Sequence, residues 1–186
     1  MTSFLSCNYK AEVNEPIVIY LQPFNGIPKS NVTFVHDELQ KVYPHIEVNE
    51  SIALPETAYY KKRNRYRADS LIKFLGTITP KGHVTIGLTD KDISHTKGEI
   101  QDYGIMGLGY QPGSSCVVST FKLSKANLLE QFSKLSIHEL GHTQGLPHCS
   151  VKTCLMRDAN GKNHTDELTG FCSNCKKQLS SKGWTL

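Results

Sequence analysis

No stretch of this 186-residue chain reaches about 18 consecutive apolar residues, so no membrane-spanning helix is readable. Charge of one sign is scarce as well. Lysine and arginine total 21 against 17 acidic residues, and the formal net charge is +4. The only dense basic run is "KKRNRYR" (61–67), which reads as a solvated helix face rather than a nucleic-acid patch. Six cysteines are too few for a disulfide scaffold. Internal repeats and low-complexity linkers are also missing, so a single domain is expected. An apolar content of 38% and a mean hydropathy of −0.35 fit a globular protein with one ordinary core. The leading "SFLSC" faintly resembles the end of a lipoprotein signal, but only six residues precede Cys7. A chain that starts at Met1 reads as cytoplasmic; a trimmed one would have an exported lipoprotein as its parent.

The elements can be sketched from periodicity. Residues 1–15 are polar and read as loose. "PIVIYL" (16–21) is a short β-branched run that suits a buried strand. Val32, Val35, Leu39 and Val42 fall at helical spacing, and Pro44 ends that helix. "HIEVNESIAL" reads as a strand. "RYRADSLIKFLG" reads as a second helix that closes at Gly76. Residues 83–89 and "SCVVSTF" are strands, and "YGIMGLGY" is a glycine-bearing edge strand. "SKANLLEQFSKLSIHELGHTQG" is the longest helical pattern, with Ser124 as N-cap and Leu128, Leu129, Phe132, Leu135 and Leu140 as its apolar stripe. Gly145 and Pro147 stop it. A short helix is expected near 174–182.

The chemistry concentrates in "HELGHTQGLPHC" (138–149). His138 and His142 are four apart, so a helix projects both from one face toward a single metal. His148 can join them only if the chain turns back, and Gly145 can take the positive φ such a turn needs. Three imidazoles leave a fourth zinc position for water, the mark of a catalytic site. Glu139 lies on the side of that water, where it can serve as general base and pass the proton to a leaving amine.

The cysteines form a second constellation. Cys149 and Cys154 are separated by four residues, Cys172 and Cys175 by two, and the pairs lie about 20 residues apart, the spacing of a tetrathiolate zinc site. Such a site is closed and structural. It would brace the segment that carries His148 and stabilise 146–186, where apolar periodicity is weak. Disulfide pairing is the rival reading and would need an oxidising compartment. Cys7 and Cys116 are left over.

Together the "HELGHTQGLPHC" run, Cys154 with Met156 in "CLM", and the closing "CSNC" resemble the archaemetzincins, a branch of the metzincin clan of zinc metallopeptidases. The upstream "RYRADSLIKFL", "IGLTDKDIS" and "VVSTFKLS" are similar to that family's arrangement too. The resemblance implies an α+β, metzincin-like (zincin) fold: a twisted mixed β-sheet with two long helices, followed by a small zinc-braced C-terminal subdomain. The division would be 1–145, carrying the active-site helix, and 146–186. Met156 would be the Met-turn residue beneath the histidines, and "GIMGLGY" would form the upper rim of the cleft, where an extended peptide could add by backbone hydrogen bonds.

The leading expectation is therefore a zinc metallopeptidase acting on extended peptides, with two Zn²⁺ per chain, no nucleic-acid partner and a monomeric state. The alternative is a catalytically weak or inactive zinc-stabilised peptide-binding module, which would have no need of Glu139. Asp90 and Asp92 read as a turn rather than a calcium loop. His164 and Asp166 read as loop residues beside the cleft. Tyr103 and Tyr110 are candidates to back an oxyanion. His36, His45, His83 and His95 sit singly and carry no pattern.

Overall fold

A computed structural model describes residues 16–186. Cys7 and the expected loose leader lie outside the described residues. A five-stranded sheet is formed by β1 (Ile19–Pro23), β2 (Ile46–Val48), β5 (Val84–Thr89), β8 (Gly107–Gly109) and β9 (Ser115–Ser119), in the order β2-β1-β5-β9-β8. Four of these strands are parallel. β8 runs antiparallel to β9 and is one of the sheet's two edge strands. A second sheet joins β3 (Tyr59–Tyr60), β4 (Arg65–Arg67), β6 (Ile93–Lys97) and β7 (Ile100–Ile105). Only Met106 separates β7 from β8, so "YGIMGLGY" is not one edge strand. It crosses from one sheet to the other.

Helices α1 (Lys29–Gln40) and α3 (Leu128–Thr143) cover one face of the five-stranded sheet, and α2 (Ala68–Ile78) covers the other. This two-sided cover explains why every residue of β5 and β9 is buried. Ile86, Leu88, Cys116 and Val118 face the larger core with Phe132 and Leu140, while Val117 faces Leu71, Leu75 and Phe24. Gly87 sits where α2 presses close on the sheet: a Cβ there would lie 2.7 Å from Leu75 Cδ1. Beyond α3 the chain has little regular structure until α4 (Ser173–Ser180). Its apolar residues still join the main core, with Trp184 against Tyr43 (5.4 Å between ring centroids) and Phe171 (6.1 Å).

Three further local expectations fail. The basic run is not a helix face. Residues 61–63 form a 3₁₀ turn, and Arg65 and Arg67 lie in β4, because the Tyr66 amide bonds the Asp92 carbonyl (2.9 Å) and Asp92 and Asp102 neutralise the arginines. The second helix therefore begins at Ala68. It also runs past Gly76 to Ile78, since Gly76 does not take the positive φ of a helix stop and Pro80 lies beyond the helix end. Ser124 does not cap α3. Asn127 holds that position without a side-chain cap, and the Ser124 amide instead donates to Gln131 Oε1 (2.9 Å).

Candidate metal centre and cleft

Helix α3 carries His138, Glu139 and His142 in a segment buried on every side. The helix stops because Gly145 takes φ +91°, with its amide bonded to the His142 carbonyl (2.8 Å) and the Leu146 amide to the Gly141 carbonyl (3.0 Å). The reversal returns His148 to its partners, and its ring centroid lies 5.5 Å from that of His138 and 4.7 Å from that of His142. One ring nitrogen from each of the three histidines falls within 4.8 Å of the others.

The hydrogen bonds decide what those nitrogens can do. His138 Nδ1 donates to the Leu155 carbonyl (2.6 Å) and His142 Nδ1 to the Leu146 carbonyl (2.8 Å). With both Nδ1 protons so committed, the Nε2 atoms present lone pairs to each other at 3.1 Å. Two lone pairs at that distance repel unless a cation lies between them. Nitrogens on a tetrahedral zinc, each about 2.05 Å from the metal, stand about 3.3 Å apart. Burial pushes His138 down to about 3, helped by His142, and lowers His142 also, so both rings are neutral near pH 7, the form in which imidazole can bind a metal. The donor set suits zinc, and the carbonyls fix the tautomers as outer partners of such a site do.

Glu139 is fully enclosed, and burial pushes its carboxyl up to about 8. A divalent cation on the histidines would oppose that rise. Its space comes from the sheet edge: a Cβ at Gly107 would lie 2.5 Å from Glu139 Oε1, and one at Gly109 would lie 2.7 Å from the Glu139 carbonyl. Met156 is completely buried under Gly141, where a Cβ would overlap its sulfur. The Met156 carbonyl accepts from the Cys149 amide (2.8 Å), which ties the turn below the histidines to the cysteine segment.

The four sulfurs of Cys149, Cys154, Cys172 and Cys175 also converge within 4.8 Å. Cys149–Cys172 and Cys154–Cys175 are each 3.8 Å apart, far beyond a disulfide's 2.05 Å and close to the roughly 3.8 Å edge of a tetrahedral zinc thiolate. All four are free thiols, so the disulfide reading has no support here. The Cys172 amide points at Cys154 Sγ (3.4 Å) and the Val151 amide at Cys149 Sγ (3.5 Å), the contacts a thiolate attracts.

Above the histidines runs a cleft of about 750 Å³. The β7–β8 edge forms one wall and the loop 158–165 the other. His164 lies here, bonded to Glu167 (2.8 Å), while Asp166 accepts from Gln131 Nε2 (2.9 Å). Tyr110 turns away toward Asp69 (3.3 Å), and Tyr103 meets Gly161 rather than Glu139. Isolated residues gave no hint that His95, Lys97 and Lys162 also line the cleft, because strand pairing and the long post-helix loop bring them there.

A cluster of three imidazoles, two of them turning Nε2 lone pairs inward, beside a buried carboxyl and under an unpaired strand edge, is chemistry for metal-assisted hydrolysis of a bound peptide. Comparison with known proteins agrees. Residues 12–181 match the model of Peptidase family M54, and the chain belongs to that family as a zinc metallopeptidase. The archaemetzincin of Archaeoglobus fulgidus is 30% identical over 166 residues, spanning 87% of this chain and 98% of that protein. That of Haloarcula marismortui is 31% identical over 157 residues, spanning 77% and 88%. The crystal structure of the A. fulgidus archaemetzincin, complexed with malonate, superposes with a TM-score of 0.75 at 29% identity over 87% of this chain and 99% of that one. The Methanopyrus kandleri archaemetzincin gives 0.75 at 29% identity over 90% and 95%. The mixed-sheet α+β fold expected from the sequence is thus borne out. Among the described residues no helix is long and apolar enough to cross a membrane.

Proposed function

We propose that His138, His142 and His148 hold the catalytic zinc and that Glu139 is the general base. The observation that carries this reading is the pair of Nε2 lone pairs 3.1 Å apart, with both Nδ1 protons already donated to carbonyls. When bound, zinc supplies a Lewis acid that brings the pKa of water to about 7 and polarises the scissile carbonyl. The Glu139 carboxylate takes a proton from the attacking water and returns it to the leaving amine. Enclosure by Gly107 and Gly109 keeps that carboxylate away from bulk solvent. The open edge of β8 receives the substrate backbone as an added strand. Met156 acts as the Met-turn residue that supports the helix under the histidines.

Cys149, Cys154, Cys172 and Cys175 hold a second, structural zinc in the same reading, for two Zn²⁺ per chain. Its role is mechanical: Cys149 follows His148 directly, so one short segment is anchored at both centres. Residues 146–186 then form the zinc-braced lower subdomain beneath the described part of 1–145. Elemental mass spectrometry on protein purified without added metal tests the count. Two zincs are expected. Cys154→Ser with Cys175→Ser should remove one of them, and Glu139→Gln should retain both while cutting peptide hydrolysis by at least about a hundredfold. A zinc-loaded Glu139→Gln protein that still hydrolyses at the parent rate would overturn the assignment of the base.

A further inference from the structure

The two ends of the cleft differ. At the β7 end its walls meet: Tyr103 Oη lies against Gly161, so close that a Cβ there would stand 2.5 Å from the oxygen, and Gly161 holds φ +78°. Two basic side chains pack on this contact, and because burial lowers the His95 pKa, Lys97 is the cation of the pair. Lys97 Nζ sits 4.9 Å from the centre of the Tyr103 ring, and His95 meets the same ring edge-on at 6.3 Å. Lys97 and Lys162 both line the cleft, both are exposed, and neither has a carboxylate within 4.0 Å among the described residues. Of the two acidic groups lining the cleft, Asp158 lies on this wall within electrostatic reach of Lys97, and Glu139 lies toward β8. Asp158 accepts from the Asn160 amide (2.9 Å) and lies 3.6 Å from His148, and Glu139 is enclosed by β8. At the far end Gln111 bonds the Gly145 carbonyl (3.1 Å), and no comparable pair of free lysines lines that end.

We propose that the Tyr103–Gly161 end of the cleft, with Lys97 and Lys162, receives a substrate carboxylate on the C-terminal side of the scissile bond. This rests on the peptidase reading above and adds a polarity and a substrate class to it. Two independent arguments agree on the polarity. A peptide added antiparallel to the free edge, the commoner pairing, runs opposite to β7–β8, so its C-terminal residues head toward Tyr103. The chemistry of the end points the same way, since a chain's N-terminal ammonium would meet two ammonium groups against the single carboxylate of Asp158. Gly107, beside Glu139, and Tyr103 are separated by about 13 Å of strand, at roughly 3.3 Å per residue. The bend at Met106 shortens that path, so the carboxylate belongs on the second to fourth residue beyond the cut. A chain end and an Asp or Glu side chain supply the same group. The meeting of the walls favours substrates that terminate there.

Internally quenched peptides with three residues after the cleaved bond, offered to the zinc-loaded full chain, test this. One pair differs only in a free-acid or amidated C-terminus; a second, amidated pair carries Glu or Gln at the third residue. A kcat/KM about tenfold or more higher for the acid of either pair is expected, and which pair shows it identifies the source of the carboxylate. The ratio should fall with ionic strength and collapse in the Lys97→Gln, Lys162→Gln double variant, while Lys97→Arg with Lys162→Arg preserves it. Equal cleavage within both pairs overturns the inference and leaves the peptidase reading standing. No cleavage of any peptide overturns both.

Discussion

Gly107 and Glu139 touch across the cleft floor: the strand residue has no side chain where the carboxylate stands, and a Cβ there would lie 2.5 Å from Oε1. The space is therefore built by the sheet edge rather than by the helix. Gly107→Ala must push the carboxylate aside or shift β8. A misplacement near 1 Å costs on the order of a hundredfold in an oriented site. We expect kcat to fall by at least tenfold, with KM within about threefold and the zinc content of the parent protein retained. Steady-state kinetics paired with metal analysis reads this. A variant with unaltered kcat would show that Glu139 tolerates the displacement.

Gly141 and Met156 make a similar close pair on the opposite side of α3. Alanine is favoured over glycine in a helix interior by about 1 kcal/mol, so propensity alone predicts that Gly141→Ala stabilises. Packing predicts the reverse, since overpacking a core costs about 1–3 kcal/mol. Met156 has no exposed surface, and its carbonyl is held by the Cys149 amide, so the sulfur has little room to retreat. Packing should win. Urea denaturation of the zinc-loaded protein is expected to show a lower midpoint for Gly141→Ala, and trimming the sulfur as well, in Gly141→Ala with Met156→Ala, should show the two changes to be non-additive. Simple additivity would mean that the residues do not press on one another.

Much of this candidate site could be read from spacing, because the residues that converge are local. His138 and His142 needed only a helix, and Gly145 announced the turn that returns His148. The cysteine pairs were legible for the same reason. What escaped the sequence was set by pairing at long range. Arg65–Arg67 looks helical in its own window, and it is the Asp92 carbonyl, 26 residues from Tyr66, that makes it a strand. "YGIMGLGY" alternates like one strand, yet β6 claims its first half and β9 its second. Lys97, Lys162 and His95 have no shared motif, so their meeting at one end of the cleft is visible only in three dimensions.

The run "KKRNRYR" divides into residues that matter for the fold and residues that do not. Arg65 Nη2 lies 2.7 Å from Asp92 Oδ2 and Nη1 lies 3.5 Å from Asp102 Oδ2, with side-chain exposures of 12%, 9% and 13% for the three residues. Removing the arginine leaves two enclosed carboxylates without their main counter-charge, which typically costs about 3–5 kcal/mol. Arg65→Ala should lower Tm by about 10 °C, at roughly 2–4 °C per kcal/mol for a chain of this size. Lys61→Ala and Lys62→Ala, exposed on the 3₁₀ turn, should shift stability by less than about 0.5 kcal/mol. Calorimetry separates the two groups. Equal effects would restore the picture of a uniformly solvated charge run.

Glu167 anchors the loop that forms the lower wall of the cleft. Arg157 Nη1 bonds it at 2.6 Å and His164 Nδ1 at 2.8 Å, and these contacts, the arginine's first, hold its carboxyl down to about 2. The ordinary glutamate value is about 4.3. A carboxylate depressed in the folded state contributes stability that is fully present above that ordinary value, and the contribution is lost as pH falls from about 4.3 through 2. The side chain is 56% exposed, so the free energy is modest and screened by salt. The titration itself is the sharper readout. Carbon-13 NMR of the Glu167 carboxyl should show it ionised at pH 3, where unpaired glutamates are protonated. Arg157→Ala should return its midpoint toward the ordinary range and raise hydrogen exchange along 158–165. A Glu167 that titrates near 4.3 in the parent protein would mean that this contact does not hold the wall in solution.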